Sequence, residues 1–478
     1  MNDLQQKTTN SLKWSAIERL STQAVQLSVM LILGRMLGPV AFGLIGMLAI
    51  FIAISQTLVD SGFSNALIRK KIKTESDYST TFYFNIFISF LCYTTLYISA
   101  PYIADFYKQP QLEILTKVQG LIVIINAFSM IQRTKLIINM NFKTQAKASL
   151  ISVLLSSILS IFTAYLGFGV WALIIQTLSF SILNTILLNI YSPWLPKKTF
   201  SKRSFKYLFS FGSKLLLSNL IDTIYNNIYQ IIIGRIFSAS QLGLFSQAKN
   251  LSYIPAMTLT SVIQRVTYPM LSHINNSNKN FDSIYLLTLK LTATIVFPLL
   301  MGLAIISQPL ISIILGENWS YAATLLSILC VGYMLYPIHA INLNLLQVKG
   351  RSDLFLKLEI IKKLIVTAVL IVTVPLGLEA ICIGIVAQSY LALLINTYYT
   401  GKLTSINIKK QCKSIFPIWL ITIICSLLSW GLSINIENIH AKLIFILTIT
   451  PLIYVISIRI FQYELFNIII SNLFKKKI

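Results

Sequence analysis

Between Ala148 and Pro196 the chain carries no Asp, Glu, Lys or Arg. This run limits the fold more than any other feature. One membrane-spanning helix needs only about 20 apolar residues. Gly167-Phe168-Gly169 divides the run near its middle, so the segment predicts two spans joined by a very short turn. The rest of the chain agrees. Of 478 residues, 55% are hydrophobic and 11% charged, whereas soluble domains carry about 25% charged residues. A soluble enzyme, a secreted domain and a disordered scaffold are excluded. An all-α integral membrane protein remains, because helices satisfy their own backbone in lipid.

The same reading predicts fourteen spans, near 13–34, 42–62, 79–104, 113–133, 146–166, 170–190, 207–234, 243–269, 285–306, 321–346, 357–375, 378–399, 414–434 and 441–460. No connection is long enough to form a separate domain. With the N-terminus inside, 33 basic residues fall on inner segments and 5 on outer ones, with Lys249 left inside a span. That asymmetry is the positive-inside pattern. It predicts cytoplasmic N- and C-termini, and it explains most of the net charge of +24 without nucleic acid.

A shift of 200 residues lays Ile32, Gly34, Arg35, Gly43 and Leu44 on Ile232, Gly234, Arg235, Gly243 and Leu244. The offset of six spans predicts two parallel six-span lobes: residues 1–206, then 207–400, followed by 401–478 with two extra spans and a basic cytoplasmic tail. Such lobes ordinarily enclose a path between them.

Polar groups at membrane depth usually face a cavity or a partner. Span 7 carries Lys214, Ser218, Asp222, Asn226 and Gln230 at every fourth position, a column along one helix face. Span 1 carries Glu18, Arg19, Thr22 and Gln26, and Glu18, Thr22 and Gln26 overlay Ser218, Asp222 and Asn226 under the shift. Span 2 adds Gln56 and Asp60, and span 8 adds Lys249 and Asn250. These residues are the candidate substrate-binding lining of a hydrated cavity, with Glu18 and Asp222 as proton or coupling-ion candidates. The plainer alternatives are a local Glu18–Arg19 pair, a snorkelling Lys214 and an Asp60 helix cap. Arg35 and Arg235 are expected to bond helix-end carbonyls, or alternatively to guard the outer mouth. Lys70-Lys71 and the Lys197–Lys206 cluster read most simply as topology signals, with binding of anionic lipid as the second reading. Trp14, Trp171, Trp194, Trp319 and Trp419 read as interfacial anchors. The five cysteines show no CxxC spacing and read as small buried hydrophobes. No phosphate-binding GxxxxGK[ST] loop, HExxH or GxSxG occurs. No cofactor, no metal and no catalytic residue is therefore expected.

Gly38-Pro39-Val40-Ala41-Phe42-Gly43-Leu44 and Asp60-Ser61-Gly62-Phe63-Ser64-Asn65-Ala66-Leu67-Ile68 resemble the start of Wzx-type polysaccharide flippases. Gly167-Phe168-Gly169-Val170-Trp171-Ala172-Leu173, Gly316-Glu317-Asn318-Trp319 and Gly350-Arg351-Ser352-Asp353 extend the likeness. It is to the colanic-acid-exporter-like branch of the polysaccharide transporter family, within the multidrug/oligosaccharidyl-lipid/polysaccharide exporter superfamily. At positions 40–41 the chain has Val-Ala where relatives often carry an acidic pair. The resemblance implies a bacterial inner-membrane protein that moves undecaprenyl-pyrophosphate-linked oligosaccharides outward by alternating access. It also implies work beside a periplasmic polymerase and a chain-length regulator. It assigns no residue roles. The rivals are a proton- or cation-coupled drug exporter of the same superfamily and an integral-membrane glycan-processing enzyme.

Overall fold

The computed structural model describes residues 2–197, 199–275 and 281–474, and all regular structure among them is helical. Two compact units divide the chain, Met1–Gly243 and Leu244–Ile478. Unit 1 holds α1 (Asn2–Asp60), α2 (Phe63–Arg69), α3 (Glu75–Tyr107), α4 (Gln111–Gln119), α5 (Leu121–Ala127), α6 (Met130–Ile138), α7 (Phe142–Tyr165), α8 (Trp171–Tyr191) and α9 (Lys202–Ile236), and α10 (Ala239–Asn275) begins in it. Unit 2 continues through α11 (Phe281–Ile305), α12 (Ser307–Ile314), α13 (Ser320–Tyr333), α14 (Tyr336–Val348), α15 (Ser352–Thr373), α16 (Leu378–Leu403), α17 (Ile408–Ser433), α18 (Ile439–Phe461) and α19 (Tyr463–Phe474). Unit 1 thus includes α9, the helix that opens the second half of the sequence repeat.

Among the described residues, nine helical stretches are long and apolar enough to cross a membrane, or ten if the pair Gln111–Ala127 and Met130–Ile138, bent by 42°, counts as one. The expected spans 1 and 2 share one such stretch, Trp14–Arg69, divided where Gly38 leaves helical geometry (φ 72°). The helices α9, α10 and α15 fall outside the nine; α9 carries the polar column, and α15 carries Lys357, Glu359, Lys362 and Lys363. The all-α membrane class holds, while the number fourteen goes beyond what length and apolarity establish.

Side-chain chemistry sets the helix starts. Thr74 and Asp77 form a reciprocal capping box at α3. Asn141, Ser201, Asn407 and Asn438 cap α7, α9, α17 and α18 through their side chains. The predicted hairpin is present. Gly167 and Gly169 take φ of 83° and 57°, a region open chiefly to glycine, and α7 returns as α8. The buried face of α7 is small: Ala148, Ser149, Ser152, Ser156, Ser160 and Thr163. In lipid, burial of apolar area gives little drive, so close packing of small residues holds helices together.

The repeat also marks a contact inside unit 1. A Cβ on Gly43 would lie 1.7 Å from the Ala239 carbonyl oxygen, and one on Gly243 would lie 1.9 Å from that of Pro39. Residues 39 and 239 are repeat equivalents, as are 43 and 243. Each glycine therefore receives the backbone of the other copy, the reciprocal pattern of a local two-fold axis.

Cys92, Cys330, Cys382 and Cys425 are buried and Cys412 is half-buried, all free thiols. Trp319 departs from expectation. It is fully buried, so its ring packs against protein instead of sitting at a membrane surface. Trp194 donates to Glu75 (2.8 Å) and Trp419 to Tyr390 (2.9 Å). Lys198 and Lys475–Lys477 lie outside the described residues.

Candidate functional site

The start of α2 and the start of α9 meet through two glycines. Gly62 (φ 69°) would place a Cβ 2.8 Å from the Gly212 carbonyl oxygen, and Gly212 one 2.5 Å from that of Ser61. The close approach seals Phe63, fully buried, against Phe84 (4.6 Å between ring centroids), Phe205 (6.0 Å) and Phe209 (6.5 Å). Asp60 ends α1 and lies beside Ser64 in the first turn of α2, whose N-cap is Gly62.

This junction leaves a recess of about 600 Å³ lined by Ala66, Arg69, Arg203, Lys206, Tyr207, Ser210, Phe211 and Lys214. Four of the eight are cations and none is an acid. All four cations are exposed. The Arg69 guanidinium stacks 4.5 Å from the Phe211 ring centroid, which fixes its plane without neutralising it. The nearby acid is already occupied. Asp77 is fully buried, pairs with Lys70 at 2.7 Å and accepts from Thr74 and Ser204. Among the described residues Arg69, Arg203, Lys206 and Lys214 form no ion pair with a carboxylate. Like charges gathered around one recess repel, and a bound anion relieves that repulsion.

The column predicted on span 7 begins at this recess. Lys214, Ser218, Asp222 and Asn226 are all exposed along α9, and Gln230 is half-buried. At 1.5 Å rise per residue, Asp222 stands about 12 Å along the axis from Lys214. Beside it the hydroxyls of Thr57 and Thr223 meet at 3.2 Å, tying α1 to α9. Arg19 and Gln26 are exposed, and Thr22 donates to the Glu18 carbonyl. The Glu18 carboxylate accepts from Ser149 (2.9 Å) and Gln145 (3.3 Å) on α7, and Arg133 lies within its electrostatic reach. It does not form the local pair with Arg19. Lys249 and Asn250 are half-buried and lie in unit 2. Arg235 donates to the Phe106 carbonyl and lies 5.0 Å over the Phe106 ring, the helix-end role expected for it.

Sequence reasoning missed a neutral polar network in unit 2. Tyr285 and Thr400 both point hydroxyls at Asn342 Oδ1 (2.9 and 3.0 Å), and Gln411 donates to Thr400 (2.8 Å). These residues tie α11, α14, α16 and α17 together. Asn396 Nδ2 faces His339 Nδ1 (3.3 Å), His339 Nε2 meets Ser389 (3.1 Å), and Ser389 donates to the Gly332 carbonyl (2.9 Å). The Asn396 donor makes Nδ1 the acceptor, so Nε2 carries the proton. Among the described residues, no group of His, Cys, Asp and Glu is arranged to hold a metal ion.

Paired apolar helices over two units define a polytopic helical membrane protein, and its fold is that of known transporters. It matches a structure described as "Lipid II flippase MurJ, inward closed conformation" with a TM-score of 0.74 and 19% identity, covering 93% of this chain and 99% of that one. It also matches an inward-facing multidrug resistance MATE family transporter of the MOP superfamily with a TM-score of 0.63 and 17% identity, covering 82% and 98%. The chain belongs to the family described as "Polysaccharide biosynthesis protein", whose profile matches residues 32–324. It is 27% identical to the teichuronic acid biosynthesis protein TuaB of Bacillus subtilis (strain 168), over 92% of this chain and 91% of that protein. It is 24% identical to the lipopolysaccharide biosynthesis protein WzxC of Escherichia coli (strain K12), over 82% and 80%. The family resemblance read from five short strings is borne out.

Proposed function

We propose that the protein moves a lipid-linked oligosaccharide across the bacterial inner membrane for surface polysaccharide synthesis, by alternating access. The reading rests on the exposed column Lys214–Ser218–Asp222–Asn226 in a chain of this family. A sugar head group needs hydrogen-bonding partners at membrane depth, and a diphosphate linkage needs cations. A lipid tail remains in hydrocarbon, which the exposed apolar surface of both units suits (Ile158 at 66% and Leu364 at 64% exposure). Glu18 and Asp222 are the proposed proton or coupling-ion carriers, and Lys249 and Asn250 belong to the proposed lining. The termini are proposed to be cytoplasmic, and a periplasmic polymerase and chain-length regulator to receive the product. The six-span lobes 1–206 and 207–400 are proposed as the ancestral halves. A drug exporter would be expected to have a cavity richer in acid than base, whereas the proposed lining holds Arg19, Lys214 and Lys249 against Glu18 and Asp222.

Deletion of the gene tests the function directly. Surface polymer falls and a lipid-linked glycan accumulates on the inner leaflet; unchanged polymer rejects the reading. With protein level held equal, Asp222→Asn and Lys249→Ala each lower export about tenfold, equivalent to about 1.4 kcal/mol in the transport barrier. Normal export by both variants rejects the proposed cavity lining.

A further inference from the structure

The recess at the junction of α2 and α9 has a separate identity from the mid-span residues. It lies at the end of α2 and within the first four turns of α9, at the foot of the polar column. We propose that Arg69, Arg203, Lys206 and Lys214 form a loading site that captures the diphosphate of a lipid-borne head group before the head group advances along α9. The inference rests on the transport reading above and adds the chemistry by which substrate is first held.

The residue types fit a diphosphate. Arginine presents a planar fork that bonds two phosphoryl oxygens at once, and lysine supplies point charge. Arg69 is pre-oriented by Phe211, so less freedom is lost when it binds. Asp77, which would otherwise compete for these cations, is satisfied by Lys70, Thr74 and Ser204. A volume of about 600 Å³ falls in the range of small-molecule sites and leaves room for a sugar against the half-exposed Tyr207 ring and the Ser210 hydroxyl. Ala66, one helical turn after Gly62 of the Gly62–Gly212 crossing, also lines the recess. Lys214 closes the recess and also opens the column, which makes the two sites continuous. Topology alone requires only that basic residues lie on this side. It does not require four of them around one recess with Asp77 already held by Lys70.

The experiment uses the full chain in nanodiscs of zwitterionic lipid, with a long-chain polyprenyl diphosphate as probe and thermophoresis as readout. The unaltered protein binds the probe. Arg69→Gln combined with Arg203→Gln weakens binding at least tenfold, and Arg203→Lys, which keeps the charge and loses the fork, weakens it about threefold. Lys71→Gln, which removes a charge from the adjoining loop, leaves it unchanged. Native-like binding by both altered proteins overturns the proposal. So does equal weakening by Lys71→Gln, which assigns the effect to bulk charge. Phosphatidylglycerol binding as tightly as the diphosphate would make the recess a general anionic-lipid site, and inorganic pyrophosphate binding as tightly would make its ligand soluble. Either result rejects a lipid diphosphate site. If the double variant does not elute as a single folded species, Arg203→Lys decides alone. Should gene deletion leave surface polymer intact while the double variant still loses the probe, the transport reading fails and the site stands.

Discussion

In unit 1 Arg203, Lys206, Lys214, Ser218, Asp222 and Asn226 of α9 are exposed. In unit 2 the polar side chains of α14 and α16 are closed into hydrogen-bonded chains around Asn342 and His339. Both arrangements place hydrophilic groups on helices that are otherwise apolar, and the surroundings separate their roles. A buried polar group stabilises a fold only when its partners are all present. An exposed one costs little in the free protein and is available to a ligand. Unit 2 thus carries a buried bracing network, while the α9 column of unit 1 is part of the proposed lining.

The contrast is sharpest in stability. Asn342→Leu keeps side-chain volume but leaves the fully buried Tyr285 hydroxyl without its acceptor, while Thr400 retains the Thr397 carbonyl at 3.1 Å. Thermal unfolding of the purified protein should show a loss of roughly 2 kcal/mol, with transport per folded molecule unchanged. A transport defect at normal stability would place the network on the substrate path and dissolve the distinction. His339→Leu orphans Asn396 Nδ2 and is expected to cost roughly 1 kcal/mol in the same assay; no change would mean that Ser389 and Asn396 find other partners. Thr57→Val removes the hydroxyl contact between Thr57 on α1 and Thr223 on α9. Its cost should be near 0.6 kcal/mol, the average for hydrogen bonds between membrane helices. A drop several times larger would give unit 1 the same bracing as unit 2.

Much of this was legible from the chain alone, for identifiable reasons. The membrane class follows from the charge-free run at 148–196, and the hairpin from Gly167 and Gly169, because each is a local property. The exposed α9 column is local too, since a four-residue repeat drifts only about 40° per step around a helix, and Lys214 to Asn226 stay exposed at that spacing while Gln230 turns half-buried. The recess was not legible. Arg69 and Arg203 are 134 residues apart, and each alone is indistinguishable from an orientation signal. Only the Gly62–Gly212 crossing brings them together, and glycine spacing does not disclose its partner. The network of unit 2 escaped notice because neutral Asn, Thr and Tyr carry no charge to flag them, and three of its helices meet through residues far apart in sequence. Trp319 was misread because proximity to a span end says nothing about which way a ring turns.

The paired glycines at 43 and 243 bind the history of the two copies together. Each keeps clear a space that its counterpart's neighbouring backbone fills, so a methyl group added on either side wedges the same seam. Injuries at the two positions should therefore resemble one another, and the second should add little to the first.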